Sequence, residues 1–132
     1  MTLEPGLRAA FPYTVAEADT AVALGSGELP VLGTPRVVGL AEGATVAAVA
    51  GALAAGATTV GARVELDHLA PSLAGAELEV EAVLERVDGR RLVFAVQVRE
   101  GDRAVARGRV TRVVVDAERF LRQAGAGTGA VP

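Results

Sequence analysis

The sequence predicts an α+β fold in which an antiparallel sheet of about five strands curls around one long central helix. Two stretches of the 132-residue chain lead to this prediction. Residues 37–56 are apolar apart from Glu42 and one threonine, which indicates a helix buried nearly all round. Residues 60–115 then alternate apolar and polar side chains in four runs, the pattern of a half-buried antiparallel sheet.

The elements before the sheet can be placed from their boundary residues. Phe11 to Val15 is predicted as a short first strand, and Ala16 to Pro30 as an irregular segment because glycine and proline interrupt it. Thr34-Pro35 marks the start of the long helix, since threonine can cap a helix and proline is favoured at its first position. The helix is expected to run from about Pro35 to Ala55 and to stop at Gly56.

The four alternating runs assign side chains to two faces of the sheet. The inward face of the first run is predicted to hold Val60, Ala62, Val64, Leu66 and His68. Gly61 then falls on the outward face with the charged residues. Asp88-Gly89 is a hairpin signal between the second and third runs. His68 and Arg112 lie on inward faces that are otherwise apolar, which makes both candidates for function.

The remaining features concern the outward face, the C-terminus and the sheet edge. Rows of Glu and Arg on neighbouring runs are expected to form cross-strand pairs. Asp116 to Gln123 is predicted as a short closing helix, so residues 1–123 form a single domain and residues 124–132 a disordered tail. A sheet of this kind has an unpaired edge, which a homodimer joining two sheets would cover.

The composition excludes several classes of function. A net charge of −3 gives no electrostatic footprint for nucleic acid. The absence of cysteine excludes disulfides and a cysteine nucleophile, and with a single histidine it argues against a structural zinc site, so no metal is expected. The long helix approaches the length of a membrane span, but Glu42 within it favours a buried helix of a soluble protein. The expected location is the cytoplasm of a bacterium.

Four motifs resemble those of a known family. They are Thr34 to Glu42, Val60 to Pro71, Val87 to Leu92 and Gly108 to Arg112. In this order and spacing they resemble hotdog-fold acyl-CoA thioesterases of the fluoroacetyl-CoA thioesterase-like group. The resemblance implies a hotdog fold, hydrolysis of a small or medium acyl-CoA, no cofactor besides the coenzyme A of the substrate, and a homodimer or a tetramer.

The resemblance also implies a set of site residues. Thr34, Glu42 and His68 match the catalytic residues of the family, and Gly61 and Arg112 match positions that contact the substrate. Each has a structural alternative. Thr34 can be a helix cap, Glu42 and Arg112 an ion pair, His68 a satisfied core residue, and Gly61 a bulge or a packing requirement.

The chain departs from the family before the helix. Ala21 to Gly33 contains no aromatic residue and is shorter than the family's lid segment, so selectivity for fluorine is not predicted. Small neighbours of Glu42 on the helix, Ala41 and Gly43, are consistent with a roomier pocket or a different acyl group. Two other functions remain open: a non-catalytic hotdog protein that binds acyl-CoA or an acyl carrier, and a hotdog enoyl-CoA hydratase or dehydratase.

Overall fold

The computed structural model describes residues 2–125 and contains one five-stranded antiparallel sheet and one long helix. The elements are β1 (Arg8–Thr14), a 3₁₀ turn (Glu17–Asp19), α1 (Ala21–Leu24), α2 (Thr34–Val49), β2 (Ala57–His68), β3 (Glu77–Asp88), β4 (Arg91–Glu100), β5 (Arg103–Asp116) and α3 (Ala117–Ala124). The strand order is β1-β3-β4-β5-β2, with every neighbouring pair antiparallel. The predicted α+β class and the sheet around a helix are confirmed.

Helix α2 packs one side against the inward face of the sheet. Its buried residues are Val37, Leu40, Ala41, Ala44, Thr45, Ala48 and Val49. They join the buried apolar residues of β3, β4 and β5 in a single core, because side chains three and four positions apart share a helix face. The opposite side of α2 is exposed within this chain and holds Pro35, Gly39, Gly43, Val46 and Ala47. The prediction of a helix buried nearly all round is therefore wrong for the single chain.

The bounds of α2 differ from those predicted. The helix begins at Thr34 with Gly33 as its N-cap, and it ends at Val49 rather than Ala55. Ala52 N–H bonds to Val49 O at 2.9 Å, which is the tighter spacing of a 3₁₀ turn and closes the helix early. Gly56 has a φ of 81° in the turn that leads into β2, a conformation that glycine adopts without strain.

The short elements also need correction. Strand β1 begins at Arg8, three positions before the predicted start, and ends at Thr14. The segment predicted as irregular contains the 3₁₀ turn and α1, whose Thr20 accepts a hydrogen bond from Ala23 N–H at 3.3 Å. The β3–β4 hairpin forms as predicted, but its turn residues are Gly89 and Arg90.

Strand β2 departs from strict alternation. The pairing of β2 with β5 shifts between Gly61 and Arg63, so Ala62 is the extra residue of a β-bulge. The bulge adds one residue to β2 and none to β5. Side chains of β2 that precede the bulge therefore lie on the face opposite to the one that strict alternation predicts. Gly61 therefore lies on the inward face, opposite Arg112, and the prediction that placed it outward is wrong. The inward placement of His68 and Arg112 is confirmed by their burial.

Ion pairs form on the outward face, although between other strands than the neighbouring runs predicted, and the predicted closing helix is present. Arg109 contacts Glu85 across strands at 2.9 Å, and Arg8 pairs with Glu81. Asp116 caps α3 through Arg119 N–H at 2.9 Å. The helix includes Ala124, where the tail was predicted to begin, and residues 126–132 of that tail lie outside the described residues.

No helix within residues 2–125 combines the length and the apolar character needed to cross a membrane.

Candidate active site

The N-terminus of α2 meets the C-terminal end of β2 through one side-chain contact. Thr34 Oγ1 lies 2.8 Å from His68 Nδ1. Thr34 occupies the first turn of the helix and Gly33 the N-cap, without a side-chain cap. The interpretation of Thr34 as a helix cap is therefore wrong, because its hydroxyl contacts His68 instead.

His68 is half-buried and only partly satisfied. Its Nε2 atom is buried and has no hydrogen-bond partner among the described residues. Burial lowers the pKa of His68 from its ordinary value of 6.5, and the backbone of Ala70 opposes this shift. A neutral imidazole is therefore favoured near pH 7, with one nitrogen able to accept a proton. His68 is not a fully satisfied core histidine.

His68 lines one cavity, and a second, larger cavity lies next to that one. The first, of about 220 Å³, is lined by Val31, Leu32, His68, Leu69, Ala70 and Pro71. The second, of about 500 Å³, is lined by Val31, Pro71, Leu73, Ala76, Glu100 and Arg103. The two share Val31 and Pro71, and their walls are mainly apolar. Such walls suit an acyl chain or another extended, mostly apolar group.

A second polar group lies further along α2, at Glu42. Arg112 Nη1 donates to Glu42 Oε2 at 3.0 Å. Arg112 is only 7% exposed, and its other donors reach Thr59: Nε to Oγ1 at 2.8 Å and Nη2 to the carbonyl oxygen at 3.1 Å. All three guanidinium nitrogens thus have partners, as a buried arginine requires. The ion-pair interpretation of Glu42 and Arg112 is confirmed.

Gly61 lies directly beneath this carboxylate. A Cβ atom built on Gly61 would collide with Glu42 Oε2 and would lie 3.5 Å from Arg112 Nη1. The φ angle of Gly61 is not positive, so the backbone conformation does not require glycine here. A larger residue at position 61 would instead have to displace the Glu42 carboxylate, which occupies the space of a Cβ atom. Both structural alternatives for Gly61 are therefore present, a bulge next to it and a packing requirement.

The predicted site residues form two groups rather than one. Thr34 contacts His68, and Glu42 contacts Arg112 above Gly61. Glu42 makes no hydrogen bond to His68, whose Nε2 is without a partner in residues 2–125. Thr34 and Glu42 are eight positions apart on α2, which corresponds to about 12 Å along the helix axis. A single chain therefore keeps the two groups apart.

Sequence reasoning missed Thr59. It is 8% exposed and lies two positions before Gly61 on the same inward face of β2. The available signal was a threonine beside an otherwise apolar stretch. Strict alternation, which does not include the bulge, assigns position 59 to the outward face. No group of three or more metal-ligating side chains occurs in the described part of the chain.

A buried carboxylate in front of α2 was also missed. Asp19 is 2% exposed, and its Oδ2 accepts from Tyr13 OH and from Ala16 N–H, both at 2.8 Å. Its Oδ1 lies 2.7 Å from Arg36 Nε as an ion pair. Burial raises the pKa of Asp19, but these hydrogen bonds and the Arg36 charge outweigh burial and lower it. Asp19 thereby ties the segment before the helix to the first turn of α2.

Comparison with known proteins gives a family. Residues 15–118 match the family FlK, described as fluoroacetyl-CoA-specific thioesterase. The fluoroacetyl-CoA thioesterase of Streptantibioticus cattleyicolor is 34% identical over 90 residues, which make up 68% of this chain and 65% of that protein. The matched region thus spans just under two thirds of that relative's length.

Solved structures agree over nearly the whole chain. The structure of the fluoroacetyl-CoA thioesterase FlK superposes with a TM-score of 0.90 at 28% identity, covering 97% of this chain and 99% of that one. A hot-dog-like protein from Thermanaerovibrio acidaminovorans superposes with a TM-score of 0.86 at 25% identity, covering 96% and 93%. The predicted hotdog fold is confirmed by these similarities.

Proposed function

The chain belongs to the fluoroacetyl-CoA-specific thioesterase family, and we propose that it hydrolyses a small or medium acyl-CoA to the free acid and CoA. The observation that carries this proposal is the 2.8 Å contact of Thr34 Oγ1 with His68 Nδ1, while His68 Nε2 has no hydrogen-bond partner in the described part of the chain. An imidazole held at one nitrogen and free at the other is suited to take a proton from water. CoA enters as part of the substrate, and no other cofactor is proposed.

Thr34 and His68 form the proton-transfer part of the proposed mechanism. A proton on His68 Nδ1 is donated to Thr34 Oγ1, so the lone pair lies on Nε2, beside the apolar cavity that Val31 and Pro71 line. Nε2 accepts a proton as water adds to the thioester carbonyl, and returns it to the departing thiolate. The N-terminal end of α2, at Thr34, favours the developing oxyanion through the helix dipole.

Glu42 supplies the carboxylate of the proposed mechanism. Arg112 holds Oε2, whereas Oε1 bears no hydrogen bond to a described residue. Oε1 therefore either helps to activate the water or attacks the thioester carbonyl itself. In the second route the C–S bond breaks, CoA leaves as the thiolate, and water hydrolyses the resulting anhydride to the free acid and Glu42. We assign Gly61 to substrate binding, with the thioester approaching the Gly61 backbone beside the Glu42 carboxylate. We assign Arg112 to holding the charge and the direction of Glu42.

A homodimer is part of the proposal because one chain keeps the two groups apart. Gly61 and His68 are seven positions apart on β2, roughly 20 Å in an extended strand. Strand β2 is an edge of the sheet, and the exposed side of α2 next to Glu42 carries Gly39, Gly43 and Val46. These small and apolar residues support close packing against a second copy of the chain.

The register of such a dimer follows from the site. If two β2 edges pair antiparallel about an axis at Glu65, the Ala62 bulge places Gly61 opposite His68 of the partner subunit. Both residues are on inward faces, and paired residues share a face. Each active site would then combine Thr34 and His68 of one protomer with Glu42 of the other. A tetramer would add contacts outside these sites. We propose the cytoplasm as the location, because CoA esters are intracellular compounds.

Thiol release tests the activity. Wild type, Glu42→Gln and His68→Ala are assayed with acyl-CoA esters of short to medium chain, and the folding of each variant is checked by circular dichroism. We expect turnover by the wild type that is lost in both folded variants. Stabilisation by CoA esters without thiol release would instead identify a binding protein. Hydration of an enoyl-CoA without CoA release would identify a hydratase.

Subunit complementation tests the shared site. Glu42→Gln and His68→Ala dimers, each inactive, are mixed, unfolded and refolded together. If the site spans two protomers, each mixed dimer holds one intact site, and activity returns to about a quarter of wild type. If each site lies within one protomer, every site retains a lesion and no activity returns.

A further inference from the structure

Thr59 binds one guanidinium with two different atoms. Its hydroxyl oxygen accepts from Arg112 Nε at 2.8 Å, and its carbonyl oxygen accepts from Arg112 Nη2 at 3.1 Å. Arg112 Nη1 donates to Glu42 Oε2 at 3.0 Å. A guanidinium is planar and rigid, so two contacts on one side determine where its third nitrogen points.

We propose that Thr59 is a positioning residue of the active site, which holds the Arg112 guanidinium and through it directs the Glu42 carboxylate. This inference rests on the catalytic role that the proposed function gives to Glu42. Thr59 does not contact Glu42 itself. Its influence passes through Arg112, which contacts both residues.

The bulge in β2 makes this arrangement possible. Because Ala62 is the extra residue, Thr59 and Gly61 both lie on the inward face, and Gly61 pairs with Arg112. Thr59 then meets the guanidinium on one side. On the other side, the missing side chain of Gly61 leaves the space that Glu42 Oε2 occupies. Without the bulge, Thr59 and Gly61 would face outward and Arg112 would lack its partners.

Burial makes the Thr59 hydroxyl hard to replace. Thr59 is 8% exposed and Arg112 7% exposed, so water has little access to the guanidinium. A hydrogen bond between a neutral acceptor and a buried charged donor contributes more than one between neutral groups. Thr59→Val keeps the shape of the side chain and removes only the acceptor of Arg112 Nε. The Thr59 carbonyl is then the one remaining contact that directs the guanidinium toward Glu42, so the direction of the Glu42 carboxylate is less well defined.

Steady-state kinetics separate positioning from a purely structural role. We expect Thr59→Val to lower kcat about tenfold, with little change in KM because position 59 does not contact the substrate. Thr59→Ser retains the hydroxyl and should stay within about twofold of wild type. Thr58→Val is the matched control, since Thr58 is the exposed neighbour on the outward face. A Thr59→Val protein that melts at a lower temperature but keeps the wild-type kcat would overturn the proposal.

A crystal structure of Thr59→Val tests the same inference without activity. We expect the contact between Arg112 Nη1 and Glu42 Oε2 to lengthen beyond hydrogen-bond distance, and an unchanged contact would overturn the proposal. If the wild type releases no thiol, the proposed function fails, and this structure still decides whether Thr59 directs Arg112. Should Thr59→Val not fold, Thr59→Ala removes the same oxygen and carries the same expectations in both experiments.

Discussion

The two polar groups along α2 differ in how completely they are hydrogen-bonded. Around Glu42, Arg112 has a partner for each guanidinium nitrogen, two of them on Thr59. At the start of the helix, Thr34 contacts His68 Nδ1, and His68 Nε2 is buried without a hydrogen-bond partner among residues 2–125. Full hydrogen bonding holds a charged group in place, whereas an unpaired nitrogen keeps the capacity to take up a proton. This contrast supports the proposal that the Glu42 cluster is the positioned group and that His68 transfers the proton.

Removing the free nitrogen should have the largest effect. We expect His68→Ala to lower kcat by about 10²- to 10⁴-fold, the range lost with a general base. Because His68 is half-buried and makes one side-chain hydrogen bond, the melting temperature should change little. The measurement is thiol release together with thermal unfolding. A folded variant within tenfold of wild type would exclude His68 as the base.

Displacing the positioned carboxylate should have the next largest effect. A Cβ on Gly61 would collide with Glu42 Oε2, so Gly61→Ala is expected to move the carboxylate and lower kcat/KM about 10²-fold. Gly108→Ala is the comparison, because its Cβ would collide with the Glu65 carbonyl oxygen in the backbone of β2. Gly108→Ala should mainly lower the free energy of unfolding, whereas Gly61→Ala should mainly lower kcat/KM. Equal losses of stability in the two variants, with activity kept in Gly61→Ala, would contradict the expectation.

Loosening the histidine should have a smaller effect. Thr34→Val removes the partner of His68 Nδ1, and we expect a loss of about tenfold in kcat, the value of one hydrogen bond that orients a base. Thr34→Ser should behave like the wild type. Since Gly33 and not Thr34 is the N-cap, the melting temperature should stay nearly the same. A clear drop in stability with unchanged kcat would point to capping instead.

The pKa of His68 gives the smallest expected effect. It is the only histidine of the chain, so its ring protons can be followed by NMR during a pH titration without other signals. Because burial lowers the pKa, the midpoint should fall below 6.5. Between that midpoint and 6.5 the unfolded chain binds more protons, so the free energy of unfolding should rise with pH across this window. A midpoint at or above 6.5 would show that burial does not control His68.

Local patterns predicted most of the architecture. The apolar stretch around Glu42 became α2, and the alternating runs became four strands, with the inward residues of β3 and β4 as predicted. The resemblance drawn from the four motifs is confirmed by the family match. These predictions succeeded because the periods of helices and strands can be recognised from the spacing of apolar residues that are close in sequence.

Errors arose where one residue changes the phase or the end of an element. The bulge at Ala62 exchanged the faces of Thr59 and Gly61, and no local pattern marks an extra residue in a strand. The end of α2 at Val49 was missed because the following residues have the same alanine-rich composition as the helix. The assignment of Thr34, Glu42 and His68 as catalytic remains a prediction.

The α+β class, the order of the elements, the inward faces of the regular strands and the candidate residues all follow from the amino-acid sequence. Which polar groups meet is visible in the folded chain alone: Thr34 contacts His68, and Arg112 contacts Glu42 and Thr59. The reason is physical. Composition and periodicity are patterns of residues that are close in sequence, whereas these contacts join positions 34 to 70 residues apart. The contacts depend on strand register and on a bulge, and only the folded sheet defines both.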